Sequence, residues 1–150
     1  MKNLLFMFFI LLFSKCGTDQ GEPKKYNYSI INSSGTLIEI IPYSNGIRYN
    51  DKKIILNNTQ LINKIDIDYP PYNGGFRIVF ALFPNLSVDK IDIIFNSTEK
   101  VSYEDCSPIN NCNAQPRNVF NNEFHNESTE VYTITPEDYQ NAIDCGGNCN

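Results

Sequence analysis

Cysteine is the residue type with the richest chemistry in this chain of 150 residues, which contains five of them. Four lie in the last third of the sequence, at Cys106, Cys112, Cys145 and Cys149. Such thiols form disulfides in an oxidising compartment, and the sequence leaves all three pairings open. We favour a bond between one of the first two and one of the last two. Closing such a loop of about forty residues stabilises a fold by roughly 4 kcal/mol, more than a short loop does.

Metal binding is the alternative use of these four thiols. Zinc sites usually place about two to four residues between paired cysteines, whereas five residues separate the first pair here and three the second. The oxygens of Asp66, Asp68 and Asn73 form another set, suited to calcium, but their spacing matches no defined calcium loop. We therefore predict two disulfides, no metal site and no cofactor.

The fifth cysteine, Cys16, follows an apolar run from Leu4 to Phe13. A run of about ten residues is half the length of a membrane-spanning helix and is typical of a signal peptide. The sequence Leu12-Phe13-Ser14-Lys15-Cys16-Gly17 resembles the lipobox of bacterial lipoproteins, although Lys15 stands where Gly or Ala is usual. The resemblance implies a signal peptide over residues 1–15 and an acylated Cys16. The alternative is ordinary secretion, in which Cys16 is discarded.

The lipobox resemblance also implies a location. Acylation would anchor the protein to a membrane of the bacterial cell envelope, on the periplasmic or the surface face. Removing Cys16 from the count leaves an even number of cysteines, as pairing requires. The C-terminal part, from Tyr132-Thr133-Ile134-Thr135-Pro136 to Cys145-Gly146-Gly147-Asn148-Cys149, resembles that of small flavobacterial lipoproteins with a cysteine-rich end. That resemblance carries no activity with it.

The sequence offers few candidate catalytic residues. His125 is the single histidine, in a polar stretch near Glu123 and Glu127. No nucleophile motif such as Gly-x-Ser-x-Gly occurs. The adjacent acids Glu104-Asp105 and Glu137-Asp138 suit a loop and a helix start better than a hydrolase pair. We predict no catalytic residue, and keep an exported hydrolase with a site assembled from distant residues as the alternative.

An aromatic loop is the most distinctive binding feature. Tyr69, Tyr72 and Phe76 surround two prolines and the run Asn73-Gly74-Gly75. Exposed aromatic rings on such a loop suit a glycan or a protein partner. The alternative is a crossover between strands whose rings cover the edge of the core. We predict binding through Tyr69, Tyr72 and Phe76.

Composition limits the function classes. The chain is 41% hydrophobic and 19% charged, with 13% aromatic residues, which is typical of a folded chain. A net charge of -5 offers no basic surface for phosphates, so we predict no nucleic-acid partner. After the signal peptide, residues 16–25 are polar and predict a flexible tether. The remaining 125 residues, 26–150, predict a single domain.

Short apolar runs alternate with Asn- and Gly-rich turns through this region, which predicts an all-β fold. We expect an antiparallel β-sandwich of the immunoglobulin-like or Greek-key kind. Phe76 to Phe83 alternates best and is the expected central strand, whereas Ile65 and Ile67 are expected inside and Asp66 and Asp68 in water. The expected strands are Tyr26–Ile31, Thr36–Ile41, Ile47–Tyr49, Lys53–Leu56, Leu61–Ile67, Phe76–Phe83, Lys90–Phe95, Lys100–Tyr103 and Glu130–Ile134.

The C-terminal segment predicts a short helix. Thr135 can cap it, Pro136 suits the first helical position, and Glu137 and Asp138 favour the helix dipole. We expect the helix from Pro136 to about Ile143, followed by a disulfide-bonded tail. Together these expectations describe a lipid-anchored envelope protein that acts as a non-enzymatic binding or accessory module. Its partners would be the membrane, through the lipid, and a protein or glycan.

Overall fold

The computed structural model describes residues 21–72, 77–105, 115–121, 124 and 128–149. Within these ranges nine strands form two sheets, joined by two short α-helices. The predicted all-β architecture with a short C-terminal helix is therefore confirmed. Several residues considered above lie outside the described ranges: Cys16, Phe76, Cys106 and Cys112, which have predicted roles, and Asn73 and His125, which were weighed as a calcium ligand and a catalytic residue.

The smaller sheet contains three strands in the order β5-β1-β8. These are β1 (Lys24–Asn32), β5 (Leu61–Asp68) and β8 (Thr129–Ile134). β1 pairs antiparallel with β5 but parallel with β8, so the expectation of an antiparallel fold does not hold for this pair. Parallel pairing needs a long connection, and β8 lies far from β1 in the sequence. β1 also begins two residues before the expected start of the domain, so Lys24 and Lys25 belong to the sheet.

The larger sheet has the order β3-β2-β6-β7-β9, with β4 also paired to β2. Its centre is formed by β2 and β6, which pair antiparallel from Ile38 and Phe95 to Tyr43 and Lys90. The tight turn between β2 and β3 places Asn45 and Gly46 at positive φ, 51° and 74°, a conformation that Gly and Asn tolerate. The strands are β2 (Ile38–Ser44), β3 (Ile47–Arg48), β4 (Ile54–Leu56), β6 (Lys90–Phe95), β7 (Glu99–Glu104) and β9 (Ile143–Asp144).

The main core lies between the two sheets. Alternate residues of β1, β6 and β8 point into it, as the two-residue period of a strand requires. Burying each large aliphatic or aromatic side chain contributes about 1.5–3 kcal/mol, so this core is the main source of stability. Its fully buried members include Tyr28, Ile30, Ile38, Ile40, Ile91, Ile93, Phe95, Tyr132 and Ile134.

The expected central strand from Phe76 to Phe83 is wrong. The described part of that segment forms a helix, α1 (Ile78–Leu82), which buries Ile78, Val79 and Leu82. In a short run of almost continuous apolar residues, no polar positions show whether the side chains repeat every two residues, as in a strand, or about every 3.6 residues, as in a helix. The central strands are instead β1, β2 and β6.

The expected orientation of β5 is also wrong. Ile65 and Ile67 are 54% and 46% exposed, whereas Asp68 is only 2% exposed. The register explains this, because Asp66 pairs with Tyr26 of β1 and Ile67 pairs with Lys25. The carboxylates therefore share the inner side of the sheet with Tyr26, and the isoleucines share the outer side with Lys25.

The predicted C-terminal helix is present as α2 (Pro136–Gln140), three residues shorter than expected. Asp138 starts it, because one carboxylate oxygen accepts hydrogen bonds from the backbone N–H and the hydroxyl of Thr135, at 2.7 Å and 3.1 Å. This is the reciprocal part of a capping box. The first-turn acid predicted from sequence therefore has a structural role.

A disulfide joins Cys145 to Cys149, so the favoured long-range pairing is wrong for these two cysteines. Gly146 and Gly147 adopt positive φ, 62° and 77°, and turn the chain back. The Cα atoms of the two cysteines thereby come within 5.1 Å of each other, inside the usual range for a disulfide. Cys149 packs on Ile41 and Ile94, so this tail covers part of the outer face of the larger sheet.

Candidate functional site

Tyr69 and Tyr72 follow β5 directly and are 63% and 40% exposed. Their predicted exposure is confirmed. Pro70 and Pro71 between them lack the backbone N–H that a sheet ladder needs, so β5 ends here and the chain leaves the sheet. This local sequence presents both rings at the end of the smaller sheet.

The two tyrosines lie against the beginning of the domain. The Tyr72 hydroxyl donates a hydrogen bond of 2.6 Å to the carbonyl oxygen of Glu22. The Lys24 ammonium lies 4.3 Å from the centre of the Tyr72 ring, within the range of a cation–π contact. A side chain at Gly21 would meet the Tyr72 hydroxyl at 2.6 Å. The loop after β5 and the segment before β1 are therefore fixed to each other.

A cleft of about 470 Å³ lies between these segments. Tyr69 and Pro70 form one side, and Gly21, Glu22 and Pro23 form the other. Its volume is in the range of small-molecule sites. The cleft is lined by the aromatic ring of Tyr69, the rings of Pro23 and Pro70, and the carboxylate of Glu22. These groups suit stacking and hydrogen bonding with a ligand better than catalysis.

The exposed side of β5 continues this surface. Ile65 and Ile67 precede Tyr69 at alternate positions and are about half exposed, and the exposed Lys25 is the register partner of Ile67. We name this set the tyrosine surface. It consists of Lys25, Ile65 and Ile67 on the outer side of the sheet, and of Tyr69, Tyr72 and Lys24 where the sheet ends. Lys24 is the register partner of Asp68, so it lies on the opposite side of β1 from Lys25. The tyrosines were predicted from the sequence, but the isoleucines and lysines were not. Their proximity depends on the pairing of β1 with β5 and on the orientation of β5, which the sequence does not specify.

The inner side of the same sheet is rich in tyrosine. The rings of Tyr26 and Tyr28 stack with centres 6.3 Å apart. Burial, followed by the nearby Tyr26, Glu130 and Asp66, raises the pKa of Tyr28 to about 12. A phenol with that pKa keeps its proton at neutral pH, so it is not poised as a base or a nucleophile.

A buried carboxylate lies on the outer side of the larger sheet. Asp92 of β6 accepts hydrogen bonds from the hydroxyls of Tyr43 and Ser102, at 2.8 Å and 2.6 Å. The ammonium groups of Lys90 and Lys100 lie 3.7 Å and 3.6 Å from its oxygens. Four partners of the right chemistry satisfy this carboxylate, which indicates a role in holding β2, β6 and β7 together.

Part of this cluster borders a second cavity of about 350 Å³, beneath the tail. Lys100 and Ser102 line it together with residues of the tail, Asp144 and Cys145, and with Gln115 and Asn141. No sequence signal predicted this cavity, because its walls come from segments far apart in the chain. The Ser102 hydroxyl donates a hydrogen bond to Asp92, so it has a structural role in this cluster.

One acid of each pair weighed as hydrolase residues, Asp105 and Asp138, forms an ion pair. Arg117 binds the carboxylate of Asp138 through two nitrogens, at 2.9 Å and 2.7 Å. That hydrogen bonding raises the pKa of Arg117 above its usual value. Asp105 likewise pairs with Arg77. These contacts join loops to the sheets and explain the carboxylates without catalysis.

Comparison with protein-family models, with curated proteins and with solved structures finds no match for this chain. The function is therefore inferred from the residues themselves. In the described parts of the chain, no group of three or more His, Cys, Asp or Glu side chains is placed to hold a metal ion. The helices seen in these parts are too short and insufficiently apolar to cross a membrane.

Proposed function

We propose that this chain is a lipid-anchored protein of the bacterial cell envelope that acts by contact and not by catalysis. Acylation of Cys16 would hold it at a membrane, and the tyrosine surface would make the contact. One observation carries the proposal: Tyr69 and Tyr72, 63% and 40% exposed, lie against the segment by which the chain enters the domain. The proposed contact surface thus lies against residues that follow Cys16 closely in the sequence.

The chemistry of the surface supports contact. Exposed aromatic rings beside aliphatic side chains offer area to a partner at a small entropic cost, since a tyrosine has only two side-chain torsions. By contrast, the buried carboxylates Asp92 and Asp138 are bonded to hydroxyls and cations within the fold. These two carboxylates therefore stabilise the fold.

Intact mass spectrometry tests the anchor. The full chain, expressed in a bacterium and purified from the membrane fraction, should lack residues 1–15 and carry a diacyl or triacyl increment on Cys16. The matched control is Cys16→Ser, which should lose the increment and leave the membrane fraction. Spectra before and after reduction also count the disulfides, of which we propose two. An unmodified soluble wild-type product would contradict the anchor.

Chemical protection tests the contact. Tetranitromethane modifies accessible tyrosines, and peptide mapping locates the modified residues. Tyr69 should be nitrated more slowly in the membrane fraction than in the soluble Cys16→Ser protein, because the partner covers it. Tyr49, which is half-buried beside the larger sheet, should react equally in both and is the internal control. Equal nitration of Tyr69 in both preparations would show that the surface makes no contact.

A further inference from the structure

We propose that the partner of the tyrosine surface is the lipid bilayer itself, so that the domain rests on the membrane to which it is anchored. This inference builds on the proposed acylation of Cys16 and names the partner of the same surface. Three features carry it: the polarity of β5, the charges beside it, and the short stretch of sequence between Cys16 and this surface.

The polarity of β5 favours an apolar neighbour. Ile65 and Ile67 are 54% and 46% exposed on the outer side of this strand, and Tyr69 is 63% exposed beyond its end. Tyrosine places a ring in the apolar region and a hydroxyl among headgroups, which explains its enrichment at membrane interfaces. Aliphatic side chains followed by tyrosine therefore match the graded polarity of a bilayer surface.

The charges favour anionic headgroups. Lys24 and Lys25, the two lysines of the tyrosine surface, are exposed at the start of β1. Asp68 of β5 is only 2% exposed, and Asp66 lies on the same inner side of the strand. Lys25 lies on the outer side opposite Ile67, whereas Lys24 lies on the inner side opposite Asp68. Among the described residues, Glu22 is an exposed acid near them, and Lys25 is the cation that the outer side presents. Lysines close to a membrane are attracted by anionic lipids.

The distance to the anchor places this end beside the bilayer. Lys24 lies eight residues after Cys16 in the sequence. Even a fully extended chain spans at most about 3.6 Å per residue, or about 29 Å over that distance. An anchored surface then meets lipid at a high effective concentration, so weak individual contacts suffice. A protein or glycan partner would need no such closeness to the anchor.

A single-tryptophan reporter tests the inference, because the chain contains no tryptophan. The acylated full chain with Tyr69→Trp is reconstituted into vesicles of phosphatidylglycerol and brominated phosphatidylcholine, whose bromine quenches nearby indole. We expect this tryptophan to lose most of its emission. The matched control is Ile143→Trp, at a position 76% exposed on β9 of the other sheet, which should keep its emission.

Charge variants test the role of the lysines. Lys24→Gln combined with Lys25→Gln should reduce the quenching of the Tyr69→Trp reporter toward the level in vesicles without phosphatidylglycerol. Lys52→Gln is the control, because its side chain is 62% exposed on the connection that follows β3. Equal effects of the two sets would overturn the proposed lysine contact and leave only the apolar one.

The outcomes separate the two proposals. A product without the acyl increment overturns both the anchor and the bilayer contact. An acylated protein that binds vesicles, with an unquenched Tyr69→Trp reporter, overturns the bilayer contact and leaves the anchor. If Tyr69 is then still protected from nitration in the membrane fraction, the partner is a protein or a glycan. Quenching at position 69 and not at position 143 supports the bilayer.

Discussion

Asp92 is a fully buried carboxylate on β6 whose two hydrogen-bond donors come from the two neighbouring strands. Tyr43 on β2 and Ser102 on β7 donate to it, while Lys90 and Lys100 supply the compensating charge. A buried charge is tolerated when it is both paired and hydrogen-bonded. This residue therefore connects the three central strands of the larger sheet.

We expect Asp92→Asn to lower the free energy of unfolding by about 2–4 kcal/mol. The substitution removes the negative charge and leaves two lysines without their counterion. Tyr43→Phe removes one hydrogen bond and should cost only about 1 kcal/mol. Urea denaturation followed by circular dichroism measures both. An Asp92→Asn protein as stable as the wild type would show that this cluster contributes nothing to the fold.

Sequence patterns found some of the important residues and missed others. Tyr69 and Tyr72 were predictable as exposed, because the prolines between them end β5. Asp138 was predictable as a helix-start acid. The burial of Asp92 was not predictable, since it depends on side chains of β2 and β7 as well as on Lys90 of its own strand. Local signals report local bonds and carry little information on partners from distant strands.

At the scale of elements, β5 has the opposite orientation to the one its sequence suggests. Isoleucines normally face the core of a sandwich and aspartates the solvent. Here the register with β1 decides, because Asp66 and Asp68 lie opposite Tyr26 and Lys24. The inner end of the smaller sheet is polar enough to take carboxylates, so the aliphatic side chains of β5 point outward.

A pair of serine substitutions tests this orientation. Ile67→Ser should change the free energy of unfolding by less than about 0.5 kcal/mol, because the side chain is already half exposed. Ile30→Ser on β1, where the side chain is 1% exposed, should cost about 3 kcal/mol or more. Thermal and urea unfolding of the soluble Cys16→Ser background provide the comparison. A loss at Ile67 as large as that at Ile30 would return β5 to the orientation expected from sequence.

The remaining elements show where sequence patterns suffice. Strands β1 to β8 were predictable from their apolar runs and the turns between them. Strand β9 was not, because its two residues pair with β7 only where the tail folds back. α1 was mistaken for a strand because Ile78 to Leu82 lacks polar residues to mark a face. Packing of this segment against β1 and β5 decides its conformation, and sequence alone does not specify that packing.

The tail disulfide should make a modest contribution to stability. Closing the short loop from Cys145 to Cys149 gives about 2 kcal/mol in the chain-entropy model. Replacing both cysteines by serine should therefore lower the free energy of unfolding by about that amount and release the contact of Cys149 with Ile41 and Ile94. Ile143→Ser, at an exposed site on the same tail, should have little effect. A double variant with unchanged urea midpoint would contradict the prediction.

At the scale of the whole molecule, the outer faces of the two sheets differ. The tail covers part of the larger sheet, where Cys149 packs on Ile41 and Ile94, and Arg48 donates a hydrogen bond of 2.8 Å to the carbonyl oxygen of Cys149. The outer side of the smaller sheet carries Leu61, Ile65, Ile67 and Val131, each about half exposed. The outer face of the smaller sheet is therefore the one that the proposed contact would use.

Alkaline pH should unfold the molecule through its buried tyrosines. Burial is the largest cause that raises the pKa of Tyr28 and of Tyr43 to about 12, from a usual value near 10. The folded state therefore retains protons that the unfolded state loses, so stability is complete below about pH 10 and falls as the pH rises toward 12. The fully buried Tyr28 adds a slope of up to about 1.4 kcal/mol per pH unit.

Urea midpoints measured across this alkaline range check the prediction for the wild type, Tyr28→Phe and the control Tyr69→Phe. Tyr28→Phe should flatten the fall in stability, because phenylalanine has no proton to lose. Tyr69→Phe should follow the wild type, since Tyr69 is 63% exposed and lies outside the core. If Tyr28→Phe and wild-type stabilities fall in parallel, the alkaline transition originates in other groups and Tyr28 does not link folding to pH.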